Sequence, residues 1–277
     1  MPQHVMNVGK LEIVAMLDSW ASVPCAAVFP TVGHAEWAPY SAHLDGPDKF
    51  PLPVGAFLVR GAGETVLIDT GIGAKDRPTF PNGRLPDLLA EAGVQPDDVD
   101  FVLATHIHID HVGWHTTVRG EAYVPTFPKA KHVFARAEWD YWTAPDVALA
   151  SGNEHVVDCV LPLEGVADIS LVAGEHKLTD ELTLLPTPGH TPAHTSVAIM
   201  SAGEAGVIIG DVCHHPAQVT EGWSPVFDMN PALAMESREK LLQRIEADRM
   251  TVIAGHFPHP GFGRVVRTGG KRYWRAL

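Results

Sequence analysis

The chain has 277 residues, enough for one large domain or two small ones with a sizeable buried core. Its 25 glycines and 23 prolines lie above the average share but below that of low-complexity chains, which excludes collagen, coiled coil and wholesale disorder. Twenty Lys and Arg against 33 Asp and Glu give a net charge of -13, so the basic surplus that drives binding to a phosphate backbone is missing and no nucleic-acid partner is expected.

In chain order, residues 11–17 (LEIVAML), 56–60 (AFLVR) and 65–69 (TVLID) read as short strands, the second turning into the third through Gly61, Ala62 and Gly63. Between the first two lies a segment, about residues 20–53, with six prolines and the aromatics Phe29, Trp37, Tyr40 and Phe50. It reads as a long irregular loop, of the kind used as a lid or an oligomer contact, and a homodimer is one arrangement it allows. Residues 86–92 (PDLLAEA) have helical character, and 101–104 form a buried strand that opens at Thr105 onto a His-rich turn. A strand at 131–134, a helix at 135–142 and an ambiguous apolar stretch at 154–161 follow. Further strands are expected at 183–185, 196–200 and 206–209. The longest helical pattern is 231–245, where Leu233, Met235, Leu241, Leu242 and Ile245 share a face behind Pro231, and 251–254 closes the core as a last strand. No linker and no internal repeat interrupts this series, so residues 1–277 read as a single α/β domain with two sheets and flanking helices.

The strongest chemical signal is His106, His108, Asp110 and His111, written HIHIDH directly after the strand at 101–104. Chance would yield about 0.003 such strings in a chain of this length, and folding alone does not call for three imidazoles and a carboxylate in six positions. In extended backbone, residues two apart project to one side, so His106 and His108 can share an ion, whereas Asp110 and His111 at the following turn suit a second. Three more candidates each follow an apolar strand-like run: His190 in PTPGHTPAHT, Asp211 in VIIGDVCHH and His256 in VIAGHFPHP. Strand ends are where sites assemble in α/β sheets, and five His with two Asp suffice for two metal ions sharing a carboxylate.

The order of these motifs resembles the metallo-β-lactamase superfamily of hydrolases. The resemblance rests on IDTG at 68–71, THIHIDHVGW at 105–114, PGHTPAHT at 188–195, GD at 210–211 and GH at 255–256. It implies an αββα sandwich of two mixed β-sheets flanked by helices. It also implies that His106, His108 and His190 bind one divalent ion, most often Zn2+, that Asp110, His111 and His256 bind a second, and that Asp211 bridges. Asp69 is then expected beneath the site, orienting ligands without binding metal. The strings DHVGW, GHTPAHTS, GDVCHHPAQ and AGHFPHPGFGRVV are similar to those of the N-acyl-homoserine lactonase and methyl-parathion-hydrolase-like branch. That branch implies a metal-bridged hydroxide attacking the carbonyl of a small apolar lactone or ester, with Asp110 passing a proton to the leaving group. Phosphotriester hydrolysis is the alternative on the same fold, and a one-iron sulfur dioxygenase is the alternative outside hydrolysis.

Three histidines depart from the branch pattern: His115 after Trp114, His194 in GHTPAH, and His214 three residues past Asp211 where lactonases tend to carry Tyr. His214 is expected to face the metals as a neutral imidazole that donates one N–H to the substrate oxygen, with neighbouring His215 as its rival for that place. The aromatics Trp139, Tyr141 and Trp142, with those of residues 20–53, are candidates for an apolar pocket wall. Three dispersed cysteines, Cys25, Cys159 and Cys213, suggest neither a disulfide framework nor a thiolate metal cluster and fit a cytoplasmic setting, and no stretch has the length of a membrane span.

Overall fold

The computed structural model of the protein describes residues 4–61, 63–75, 77 and 79–277. The first sheet receives β1 (His4–Val8), β2 (Leu11–Pro24), β3 (Lys49–Arg60), β4 (Thr65–Ile68) and β5 (Phe101–Leu103). After a small hairpin of β6 (Thr116–Arg119) and β7 (Ala122–Pro125) it is completed by β8 (Lys131–Ala135) and β9 (Asp168–Val172). Its strand order is β1-β2-β3-β4-β5-β8-β9, antiparallel up to β4 and parallel beyond. The second sheet takes β10 (His176–Lys177), β11 (Leu182–Pro186), β12 (Thr195–Ser201), β13 (Glu204–Ile208), β14 (Thr251–Ile253), β15 (Phe262–Thr268) and β16 (Lys271–Ala276) in sequence order. Only its β13–β14 pair is parallel.

Strand alternation explains the layering. Ile13, Phe57, Val59, Val66, Ile68 and Leu103 from the first sheet meet Leu184, Val197, Ile199, Ile208 and Ile253 from the second in one buried cluster. Their immediate neighbours point the other way. Val14, Leu58, Leu67 and Val102 pack under the helix Leu85–Glu91, and Ala198, Val207 and Val252 pack under the helix Pro231–Ala247. Each sheet is therefore apolar on both faces and covered outside by helix, giving the expected αββα sandwich of two mixed sheets. The long helix starts as its sequence specifies: Asn230 Oδ1 accepts from the Leu233 N–H at 3.1 Å, and Pro231 occupies the first turn.

The segment at 20–53 is more regular than expected. β2 and β3 pair beyond the sheet as a two-stranded arm, Trp20 opposite Pro53 and Pro24 opposite Lys49, and helical turns at Cys25–Val28, His34–Trp37 and Ala38–His43 fill its tip. β4 pairs with β3 only from Phe57 onward, so residues 49–55 have a strand neighbour on one side. Pro51 and Pro53 are tolerated on such an edge, where no second ladder requires their missing N–H groups. The arm's aromatics Phe29, Trp37 and Phe50 join Trp223 in a buried cluster of their own. The stretch at 154–161, ambiguous in sequence, forms a wide helical turn at Val156–Val160 and a tighter one at Leu161–Leu163. Ala62 of the expected turn lies outside the described residues.

Candidate metal centre

The strand ends converge at one edge of the sandwich. β4 leads into Asp69, β5 into the HIHIDH turn, β13 into Asp211 and β14 into His256, and the connection from β11 to β12 carries His190. All seven candidate ligands of the sequence meet there in two sets, linked by a third made of Asp211, His214 and His256. The facing nitrogen and oxygen atoms of His106, His108, His190 and Asp211 lie within 4.8 Å of one another, as do those of Asp110, His111 and His256. Asp211 stands between the sets. Its Oδ2 is 3.6 Å from His106 Nε2 and 3.2 Å from His190 Nε2, and its Oδ1 is 3.2 Å from both His111 Nε2 and His256 Nε2. Asp110 lies beyond, with Oδ2 3.5 Å from His256 Nε2 and Oδ1 3.7 Å from His111 Nε2.

The far side of four rings is fixed by hydrogen bonds, so that the other nitrogen faces the cluster. His111 Nδ1 donates to Asp69 Oδ2 at 2.9 Å, His190 Nδ1 to Asp228 Oδ1 at 3.1 Å and His256 Nδ1 to the Pro53 carbonyl at 2.7 Å, while His106 Nδ1 lies 3.1 Å from Thr105 Oγ1. Asp69 is thus placed as expected, below the site, and it also accepts from the backbone N–H and hydroxyl of Thr105. This is how metal-binding imidazoles are oriented.

The donor set fits divalent ions on grounds internal to the structure. His108 Nδ1 is 3.0 Å from both His106 Nε2 and His190 Nε2, close to the ~3.3 Å that separates neighbouring ligands around a tetrahedral zinc. His111 Nε2, His256 Nε2 and Asp211 Oδ1 are buried without a hydrogen-bond partner, a costly arrangement that a shared cation would relieve.

The electrostatics agree. Burial pushes His106 and His108 well below the usual imidazole range. Burial also opposes protonation of His111, but Asp211, Asp69 and Asp110 outweigh it and hold this residue well above that range. At His190, burial is overcome by the hydrogen bonds to Asp211 and Asp228, which lift it to about 9. Asp211 is held well below the usual carboxylate range despite complete burial, because His111, His256, His214 and His106 surround it. The central carboxylate is therefore an anion enclosed by imidazoles.

Above the cluster opens a cavity of about 480 Å³ whose apolar wall includes Val28, Leu52, Phe80, Ile109, Trp142 and Phe227. Among the described residues no Lys or Arg lines it. The arm at 20–53 does contribute to this wall, through aliphatic residues and not through its aromatics. Of the three helix aromatics only Trp142 lines the cavity; Trp139 packs on Phe134 and Tyr141 is partly exposed. His214 lines it, with Nε2 3.1 Å from Asp211 Oδ2 and its ring stacked on His256, and burial pulls its pKa down. His215 faces Trp37 and Phe50 in the aromatic cluster instead. His115 is remote, paired with His132 through Nδ1 atoms 2.9 Å apart. Cys213 is a buried thiol that burial raises to about 11.

Two site residues escape a reading of the sequence. Glu138 is buried and accepts from the Ile107 N–H at 3.1 Å and the Ala193 N–H at 2.9 Å, tying the HIHIDH turn to the GHTPAH turn. Asp228, the partner of His190, sits in an irregular stretch and is held by Ser224 Oγ at 3.0 Å and Arg238 Nη2 at 3.4 Å. A carboxylate on an otherwise ordinary helix or loop carries no local pattern, and only the tertiary fold brings it to the site.

This sandwich and site define a class, and residues 50–256 match the profile of the metallo-beta-lactamase superfamily: the chain belongs to that superfamily. Among curated relatives, N-acyl homoserine lactonase AiiA of Bacillus thuringiensis subsp. kurstaki is 23% identical over 222 residues, 74% of this chain and 81% of the relative. N-acyl homoserine lactonase AttM of Agrobacterium fabrum is 28% identical over 234 residues, 76% of this chain and 83% of the relative. Two solved structures share the fold over 99% of this chain and 97% of their own: AidC, described as a dizinc quorum-quenching lactonase, with TM-score 0.83 at 21% identity, and the hydrolase AbOPH, with TM-score 0.83 at 26% identity.

Proposed function

We propose that this metal-dependent hydrolase holds two divalent ions, most naturally zinc, and opens small neutral lactones or related esters. The observation that carries the reading is the division of Asp211, one oxygen toward His106 and His190 and the other toward His111 and His256. His106, His108 and His190 would hold one ion, Asp110, His111 and His256 the other, and Asp211 both. When bound, two such ions supply an activated water at neutral pH and polarise a carbonyl oxygen.

The chain's own residues do the remaining work. Asp69, Asp228 and the Pro53 carbonyl take the Nδ1–H of His111, His190 and His256, so that the Nε2 atoms face the cluster and the inward proton is the one an arriving ion would displace. Asp110, which lines the cavity, is proposed to take the proton released by the attacking water and hand it to the leaving alkoxide. His214, neutral by burial, is proposed to turn an N–H toward the carbonyl oxygen as negative charge develops there. The apolar wall limits water, and the absence of Lys or Arg among the described lining residues favours an uncharged substrate over a carboxylate or phosphodiester. The lactonase relatives support a lactone as that substrate. A phosphotriester is also neutral and stands as the second reading. The three cysteines are free and buried, in keeping with the cytoplasmic placement proposed for the chain. Among the described residues no helix is long and apolar enough to cross a membrane.

The test is a panel of acyl lactones, aryl esters, phosphotriesters and β-lactams assayed on zinc-, manganese- and cobalt-loaded protein. Lactones should give the highest kcat/KM. A phosphotriester preference of tenfold or more transfers the assignment to the second reading.

A further inference from the structure

His194 belongs to neither ligand set, yet it is completely buried behind them, its ring centroid 5.0 Å from that of His106 and 5.9 Å from that of His190. Its Nε2 accepts the backbone N–H of Asp211 at 2.9 Å. A ring nitrogen that accepts carries no proton, so the proton of the neutral imidazole is on Nδ1, which donates to Thr187 Oγ1 at 2.8 Å. The Thr187 hydroxyl in turn donates to Ser196 Oγ at 3.1 Å, and Ser196 Oγ donates to the Ile209 carbonyl at 3.0 Å. The chain of bonds starts at Asp211 and returns to the same turn two residues earlier. The turn also rests directly on the ring: Gly210 has φ +53°, and a Cβ there would lie 2.5 Å from His194 Nε2.

We infer that His194 is a positioning residue for the shared carboxylate: it anchors the Asp211 backbone, and Thr187 fixes the tautomer that makes this anchoring possible. A ring bearing a proton on Nε2 would oppose one N–H with another, so only the Nδ1–H form fits. The Asp211 side chain reaches both ligand sets from a backbone held at this one point, so a displacement there moves it relative to both ions together.

The inference rests on the proposal that the cluster holds two divalent ions. It is tested by titrating metal-free wild type, His194→Phe and His194→Gln with cobalt(II), followed by visible absorption, with thermal unfolding of the metal-free forms measured alongside. Phe fills the space without an acceptor, whereas the Gln side-chain oxygen can accept the Asp211 N–H. Loss of an outer hydrogen bond of this kind typically costs ~10–100-fold in metal affinity. His194→Phe should therefore bind both cobalt ions about 10–100-fold more weakly and with an altered spectrum, and His194→Gln should recover most of the loss. A folded His194→Phe with wild-type cobalt affinity and spectrum overturns the inference, as does equal weakening in the Gln variant. If His194→Phe does not fold, Thr187→Val removes the oxygen that sets the tautomer and carries the test. Weaker cobalt binding then supports the role, and unchanged binding overturns it. Wild type that takes up no cobalt refutes the two-ion proposal itself, an outcome distinct from variants that match a cobalt-binding wild type.

Discussion

The two oxygens of Asp211 face different residues, Oδ2 toward His106, His190 and His214 and Oδ1 toward His111 and His256, so its removal cannot be confined to one half of the site. Asp211→Ala should strip both ions, whereas His106→Ala should weaken one and leave Asp110, His111 and His256 to hold the other. Metal analysis after gel filtration checks this, and two ions retained by Asp211→Ala would exclude the bridge. His132 gives a second prediction at this scale. Burial holds it down to about 4, against ~6.5 in an unfolded chain. Between those values the unfolded chain binds a proton that the folded one refuses, so stability is complete above pH 6.5 and is lost as pH falls toward 4. The His132 ring signals in NMR should keep their neutral positions down to about pH 5; a midpoint between 6 and 7 contradicts this. The ligands were legible in sequence because metal chemistry restricts residue type and strand ends restrict place, as in HIHIDH. Glu138 and Asp228 were not, because what they do depends on neighbours 31 to 55 residues away in one case and 38 in the other.

At the scale of elements, the helix Arg136–Trp142 joins wall and floor. Trp142 lines the cavity, and its Nε1 donates at 2.7 Å to Glu138, whose carboxylate holds the two ligand-bearing turns. The sequence offers Trp142 as a candidate for the pocket wall, and the structure shows it both lining the cavity and packing in the buried cluster beneath. Trp142→Ala should therefore lower the melting temperature, with about 3–5 kcal/mol lost, and raise KM together. Trp142→Phe keeps the apolar wall, so it should raise KM less while still losing stability through the missing N–H. Unchanged KM in Trp142→Ala would remove this residue from the pocket. The core strands β2, β3, β4, β5, β8, β11, β12, β13 and β14 and the three main helices were readable at least in part from their apolar patterns, whereas β1, β6, β7, β9 and β10 were not. The arm at 20–53 was not: its prolines argue against strands locally, and only the absence of a second neighbour makes them acceptable. β15 and β16 also escaped, since Arg264, Arg267, Lys271, Arg272 and Arg275 obscure an apolar alternation on a sheet-edge hairpin.

For the whole molecule, the site ties the two sheets together: Asp69 and the HIHIDH turn extend from the first, and Asp211 and His256 from the second. Ions bound here would cross-link the sandwich at one edge, and ions that bind only the folded state stabilise it by about 2.7 kcal/mol at a hundredfold excess over Kd. Chelation should lower the melting temperature, and zinc should restore it in a concentration-dependent way. The decisive measurement is the metal content of the purified protein alongside its rate of lactone opening. Two divalent ions per chain, with lactonase activity that falls on chelation and returns with zinc, is the predicted result. A single iron per chain, with no hydrolysis of lactones or esters in any metal form, would contradict the account.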